Sequence, residues 1–216
     1  MPQQQDKEIN MSNQFSSLRK FIIKIDRLTS NYFWEVIDRL AFKDYTIAKI
    51  YEKSIGKEYM RERELFNISE NSNILHIGCG SYPLSEIVLS SVKGVRITGV
   101  DKDKKAVSLA TKIIRKKKLE NVVTIANGNG LSYPINKFDV IIVSSCSIPR
   151  HEIFNNIFTN AKPNSTIIIR EFDSAAPGVI SFINKYKNVE MVSRLHHKAI
   201  SLLIPIFWSS FQFKKN

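Results

Sequence analysis

The residues of this chain best suited to chemistry begin where an apolar run, Ile74-Leu75-His76-Ile77, meets Gly78-Cys79-Gly80-Ser81-Tyr82-Pro83. Two glycines directly after a strand-like run let the backbone turn tightly and admit a ligand with no Cβ in the way. A dinucleotide-binding loop carries a third glycine, because a pyrophosphate packs against the start of the following helix. Pro83 stands in that slot. The departure speaks against NAD or FAD and for a nucleoside ligand that brings no phosphate.

S-adenosylmethionine (SAM) is such a ligand, needing only a gap for its methionine and ribose portions. Three further elements follow in the order a SAM site requires. Gly99-Val100-Asp101 ends the next β-rich run, and a carboxylate there can accept both ribose hydroxyls. Asp101 can alternatively cap the helix expected near Lys104. With the glycine turn ahead of it, ribose binding is the reading adopted, with Lys102 beside it. Asn127-Gly128-Asn129-Gly130 comes next. Many SAM sites place an acid here against the adenine amino group, and the side-chain carbonyl of Asn129 can accept the same hydrogen bond. A plain Asn-Gly turn is the competing reading. Finally, Val140 to Val143 lead into Ser144-Ser145-Cys146-Ser147, expected to line the ligand crevice at a strand's carboxyl end. The expected cofactor contacts are therefore Gly78, Cys79, Gly80, Asp101, Lys102, Asn129, Gly130 and Ser144.

These residues need a scaffold, and the hydrophobic pattern supplies one. Short apolar runs at Ile74–Ile77, Val95–Val100, Val122–Ala126, Val140–Val143 and Thr166–Ile169 alternate with helical periodicity, clearest at Ala106, Val107, Ala110, Ile113 and Ile114. Runs this short and apolar fit strands buried on both faces, and the alternation predicts a mostly parallel, doubly wound α/β sheet. Two final strands, near Val189–Leu195 and Ser209–Phe213, bring the count to seven: a Rossmann-like class I SAM-methyltransferase fold. Ahead of it, the sets Phe15-Leu18-Ile22-Ile25, Phe33-Val36-Ile37-Leu40 and Ile47-Ile50-Tyr51-Ile55 read as helical faces. The expected organisation is a disordered tail over 1–11, a helical region over 12–70 and a SAM-binding domain over 71–216.

The 216 residues suffice for one such domain plus an extension, and 43% hydrophobic residues suffice for a core. Lys and Arg number 32 against 20 Asp and Glu, a net charge of +12 that leans toward anionic partners. Nucleic acid is one such class, but the basic cluster Lys112, Arg115, Lys116, Lys117 and Lys118 has no interleaved aromatics. It reads as a solvated helix end, where cations are favourable in themselves. Cys79 and Cys146 offer no disulfide framework or metal-ligand spacing. The adjacent pair His196-His197 would face opposite ways on a strand, and His76 reads as a hydrogen-bonded core residue. No metal is expected. Leu202 to Trp208 is far short of a membrane helix, and the polar first residues do not resemble a signal peptide. A cytoplasmic protein with no membrane partner is the expectation.

The stretch Gly78 to Leu89, with its Gly-x-Gly followed by Pro83-Leu84-Ser85 and an aliphatic helix, resembles the glycine loop of nicotianamine synthases. Arg170 at the end of the fifth strand and Ser209-Ser210-Phe211-Gln212-Phe213-Lys214-Lys215 are also similar to that family, over about residues 74 to 216. The resemblance implies transfer of the 3-amino-3-carboxypropyl arm of SAM, rather than its methyl, onto an amine. The acceptor would be a small-molecule amine or amino acid. It further implies an active-site glutamate just ahead of the first strand, for which Glu64 is the first choice and Glu62 the second, and a role for Tyr82 toward the methionine arm or acceptor. The spacing to the tyrosine differs from the family's, and Asp173 to Pro177 does not match it. An ordinary SAM methyltransferase acting on a small molecule or RNA is the alternative. A non-catalytic SAM-fold binding module is the third reading, kept open by Asn129 and by the lack of an obvious catalytic side chain.

Overall fold

The computed structural model describes residues 29, 32–201 and 204–216. The expected tail and the first helical set, Phe15 to Ile25, lie outside the described residues. Residues 32–43 form α1, and Asp44 then interrupts the chain and caps α2 (Tyr45–Leu65), its carboxylate accepting from the Ile47 N–H at 2.9 Å. The α/β part follows as β1 (Asn73–Ile77), α3 (Leu84–Leu89), β2 (Arg96–Asp101), α4 (Lys104–Lys116), β3 (Val123–Asn127), β4 (Val140–Val143), α5 (Arg150–Asn160), β5 (Thr166–Phe172), α6 (Ala176–Ile183), β6 (Val189–Ser201) and β7 (Ile204–Lys215).

The strands make one seven-stranded sheet in the order β3-β2-β1-β4-β5-β7-β6. β1 to β5 pair in parallel, while β7 runs antiparallel to both β5 and β6. The chain works outward from β1 through β2 to β3, then returns to lay β4 on the other side of β1. That reversal opens a crevice at the carboxyl ends of β1 and β4.

Alternate residues of each strand feed opposite faces. Ile77, Ile141, Val143, Ile167, Ile169, Phe211 and Phe213 join Phe154, Ile157 and Phe158 of α5 and Val179 and Ile183 of α6. On the other face Ile74, Ile97, Ile142 and Ile168 pack with Leu89 of α3 and Ile114 of α4. A third cluster ties α1 and α2 to the domain through Ile37, Ala41, Tyr51, Ile55, Tyr82, Leu84, Ala199, Ile206 and Trp208.

Three expectations need correction. Leu40 of the expected α1 face is 37% exposed, and the face of α2 turned inward is not Ile47-Ile50-Tyr51-Ile55, because Ile50 is 42% exposed. The inward stripe is Ala48, Tyr51, Ile55, Tyr59 and Glu62, spaced three or four apart, and a glutamate lies on it. The last two strands are also longer than expected. Beyond Trp208, where pairing with β5 stops, the β6–β7 hairpin continues and lays Ala199 and Ile206 on the N-terminal helices. Pro205 masks this extension in the sequence; opposite Ile200, it sits in the part of β7 that has no third strand beside it. Among the described residues, no helix is long and apolar enough to cross a membrane.

The core account predicts that Phe158→Ala, at a fully buried position, destabilises by about 3–5 kcal/mol in urea unfolding. Phe207→Ala, at a half-exposed ring on the hairpin, should stay within about 0.5 kcal/mol.

Candidate functional site

The loop after β1 is held from two directions. Gly78 and Cys79 donate their N–H groups to the Val100 carbonyl of β2 at 2.8 and 3.2 Å. Gly80 then donates to Asp101 Oδ2 at 3.0 Å. From the opposite side, Asp38 of α1 accepts from the Ser81 and Tyr82 N–H groups through Oδ2 at 3.0 and 3.2 Å. Gly78 and Gly80 sit at φ +82° and +69°, where a side chain is strained. A Cβ on Gly78 would fall 2.3 Å from Ser147 Oγ, and one on Gly80 would fall 2.5 Å from Asp38 Oδ2. Both glycines are required by what closes over them.

Below this loop lies an outer cleft of about 420 Å³, within the size range of small-molecule sites. Gly78, Gly80, Asp101, Lys102, Asn129 and Gly130 all line it, together with apolar walls from Val100, Leu109, Ile148 and Ile153. The helix-cap alternative for Asp101 is answered by its neighbour. Asp103 caps α4 by accepting from the Lys105 N–H at 2.8 Å. Asp101 instead accepts from the Gly80 and Asp103 N–H groups, one per oxygen, leaving each oxygen a further lone pair for a ligand hydroxyl. Asn129 Oδ1 accepts from the Leu131 N–H at 3.0 Å, the Asx turn of the competing reading, while the residue still faces the cleft. Lys102 reaches across to the Ile148 carbonyl at 3.2 Å. A carboxylate at a strand end, two glycines without a Cβ at the cleft edge and apolar walls fit the ribose, methionine arm and adenine of SAM.

A second, inner cavity of about 90 Å³ adjoins the cleft. The two share Asp38, Gly78, Gly80 and Cys146 in their walls. Trp34, Tyr51, Tyr59, Tyr82, Phe172 and Trp208 line the inner space with aromatic surface. Cys79 and Ser144, expected at the cofactor, edge this inner cavity rather than the outer cleft. His76 is the hydrogen-bonded core residue anticipated: its Nδ1 meets Glu86 Oε1 and its Nε2 meets Ser144 Oγ, each at 2.8 Å.

The glutamates ahead of β1 separate cleanly. Glu64, the first choice from the family resemblance, is exposed because it falls off the inward stripe of α2. Glu62 is on that stripe and 1% exposed, pairing with Arg170 through Nη2 at 2.7 Å and Nε at 3.1 Å. Ser210 also donates to it, and the arginine lowers its proton affinity below the ordinary glutamate range against the opposing effect of burial. Arg170 donates on to Ser85 Oγ and stacks 3.7 Å over Tyr59. Tyr82 is 3% exposed and gives its hydroxyl hydrogen to Glu52 at 2.6 Å. Burial and Glu52 raise its pKa, so it stays protonated and serves as a wall and a donor. His197 is buried against Trp208 while His196 is exposed, the opposite facing that strand geometry requires.

Sequence reasoning passed over Asp38. Burial pushes its carboxyl up to about 7, against the lowering effect of the Tyr82 and Ser81 N–H groups and the Tyr51 hydroxyl. A signal was available: Trp34, Ile37, Asp38 and Ala41 share one helical face, and a lone acid on an apolar stripe of α1 is out of place on packing grounds alone.

Fold and cleft together define a class I SAM-dependent methyltransferase fold. Residues 68–204 match the family model described as a methyltransferase domain, and the chain belongs to that family. Among solved structures it is similar to a mutant of the nicotianamine synthase MtNAS (TM-score 0.70, 17% identity, covering 94% of this chain and 78% of that chain). MtNAS in complex with MTA and tNA is also similar (TM-score 0.67, 18% identity, 92% and 76% covered). So is precorrin 8w decarboxylase from Methanobacterium thermoautotrophicum (TM-score 0.58, 15% identity, 74% and 90% covered). A curated relative, the ribosomal protein L11 methyltransferase of Alkaliphilus oremlandii (strain OhILAs), is 35% identical over 77 residues, 36% of this chain and 24% of that protein. The match thus spans about a quarter of that relative's length. The expected SAM cofactor is the one this fold and family use.

Gly78→Ala should weaken SAM binding at least tenfold by calorimetry, since the new Cβ strains the turn and strikes Ser147. Asp101→Ala should cost a similar factor, the loss of about 1.5–3 kcal/mol from a charged hydrogen-bonding group. Asp103→Asn, which keeps the cap, should bind SAM within about threefold of wild type.

Proposed function

We propose that this protein transfers the 3-amino-3-carboxypropyl group of SAM to an amine on a small-molecule acceptor. The observation that carries the reading is the pairing of a nucleoside-sized outer cleft with a small, aromatic-walled inner cavity that meets it at the glycine loop. α1, α2 and the β6–β7 hairpin supply walls on several sides of that point, which suits a small acceptor better than a macromolecular one. A second sign of a ligand is Trp208, which lines the inner cavity and whose buried indole Nε1 has no hydrogen-bond partner among the described residues. A buried donor left unpaired costs free energy that an acceptor atom on a ligand would recover.

The choice of group is supported by likeness rather than by geometry. The MtNAS structures cover 92–94% of this chain, taking in the N-terminal helices that close the inner cavity, against 74% for the precorrin decarboxylase. In this reading Asp101 holds the ribose, Asn129 and Gly130 flank the adenine, and Gly78 to Gly80 give the methionine arm room. Bound SAM supplies a sulfonium whose attached carbons are open to displacement. The protein's task is to decide which carbon faces the acceptor and to exclude water. Glu62 and Arg170 build the wall of the inner cavity through Tyr59 and Ser85.

Methyl transfer to a small molecule is the second reading, favoured by the family model and by the relatedness to a methyltransferase. The by-products separate the two. Incubation with SAM and a mixture of amino acids and simple amines should release 5′-methylthioadenosine, identified by liquid chromatography and mass spectrometry. Release of S-adenosylhomocysteine alone would overturn aminocarboxypropyl transfer in favour of methyl transfer.

A further inference from the structure

Glu35, Asp38, Asp101 and Asp103 line the two cavities, and Glu62 and Glu86 sit behind their walls. Glu35 pairs with Arg39, and Asp103 caps α4. Glu62 is locked to Arg170. Glu86 sits behind the wall against His76. Asp101 holds the glycine loop and the turn after β2, and its remaining lone pairs serve the outer cleft. Asp38 combines three features, of which Asp101, absent from the inner cavity, shares only the second. It lines both cavities, so it stands at the neck where a group passing between them must travel. Its partners are all neutral donors, namely the Ser81 and Tyr82 N–H groups and the Tyr51 hydroxyl at 3.3 Å from Oδ1. No cation pairs with it among the described residues. Finally, the aromatic rings of Trp34, Tyr51, Tyr59 and Trp208 line the space it faces, a lining that favours a cation.

An unpaired carboxylate beside aromatic faces is an incomplete cation site. We propose that Asp38 receives the ammonium group of the acceptor at the neck between the cavities and takes the proton that must leave before transfer. This rests on the reading that SAM is the donor and an amine the acceptor, and it adds the residue that makes the amine a nucleophile. The proton passes from the ammonium to the Asp38 carboxylate, and the freed nitrogen lone pair forms the new bond to a carbon of the sulfonium. The carbon–sulfur bond breaks with its electron pair going to sulfur, leaving a neutral thioether. Asp38 afterwards returns its proton to solvent through the outer cleft. The assignment holds whichever carbon is attacked. It also lies outside residues 68–204, the part matched by the family model, so it belongs to the N-terminal helix of this chain.

The pH behaviour follows from the surroundings. Burial raises Asp38 to about 7, Tyr51 and the loop N–H groups hold it down, and Asp101 adds a smaller upward push. The other titratable or charged groups around it are Glu35, Arg39 and Lys43 on its own helix, Tyr59 on α2, Cys79 and Tyr82 on the loop, Lys102, Asp103 and Lys105 after β2, and His76, Cys146 and Arg170 on the sheet side. Ammonium binding requires the ionised carboxylate, so affinity should rise as pH passes upward through the Asp38 value.

The chain has two tryptophans, and both line the inner cavity, so intrinsic fluorescence reads this space directly. With the outer cleft filled by 5′-methylthioadenosine, n-butylammonium should give a saturable change whose affinity rises with pH around a midpoint near 7. Asp38→Asn keeps an acceptor for the loop N–H groups but carries no charge. At saturating 5′-methylthioadenosine it should lose butylammonium affinity at least tenfold and lose the pH dependence. Tyr51→Phe removes a donor to the carboxylate and should move the midpoint to higher pH. The proposal is overturned if Asp38→Asn binds butylammonium as well as wild type, or if the midpoint persists there. An unmoved midpoint in Tyr51→Phe would likewise count against it. Failure of wild type to bind 5′-methylthioadenosine at all would instead sink the SAM reading.

Discussion

The glycine loop after β1 is suspended between two carboxylates, and the rest of the site depends on that suspension. Asp101 pulls on Gly80 from the sheet, and Asp38 pulls on Ser81 and Tyr82 from the N-terminal helix. A loop with two residues at positive φ has no regular hydrogen-bonding pattern of its own, so its N–H groups need acceptors from outside. Supplying them as carboxylates places two negative groups at the edge of a cleft. One faces the space suited to a ribose, and the other faces the neck of an aromatic cavity. The same contacts that fix the loop therefore fix the chemistry on either side of it.

Keeping two such carboxylates close together demands that nearby charge be neutralised. Arg170, buried and ionised, is paired to Glu62 by two hydrogen bonds and braced by Ser85 and the Tyr59 ring. A buried pair of this kind adds little net stability but is costly to break, by about 3–5 kcal/mol when one partner is removed. Its value here is positional. It fastens α2 to β5, and so holds Tyr51 and Tyr59 where they wall the inner cavity.

Much of this was legible in the residues. The turn at Gly78 to Gly80, the acid at Asp101 and the alternation of short apolar runs each have one cheap physical solution, and the sheet order follows from them. What escaped was whatever depended on the rotational setting of a helix. Glu64 and Glu62 differ by two positions, which on a helix is a half-turn. Only the packing of Ala48, Tyr51, Ile55 and Tyr59 decides which one is inside. Asp38 was missed for a related reason: the loop N–H groups it accepts from lie more than forty residues away, and the helical set Phe33-Val36-Ile37-Leu40 left it off the inward face of α1. The length of the β6–β7 hairpin was hidden by Pro205, because its far half answers to the helices instead of to the sheet.

The central claim is that the outer cleft holds the nucleoside of SAM with its sulfur directed to the neck shared with the inner cavity. A crystal structure with 5′-methylthioadenosine tests it most directly. The account predicts ribose hydroxyls on Asp101, the base beside Asn129 and Gly130, and the sulfur near Gly78, Asp38 and Cys146. A nucleoside bound elsewhere, or bound in the cleft with its sulfur turned away from that neck, would contradict it.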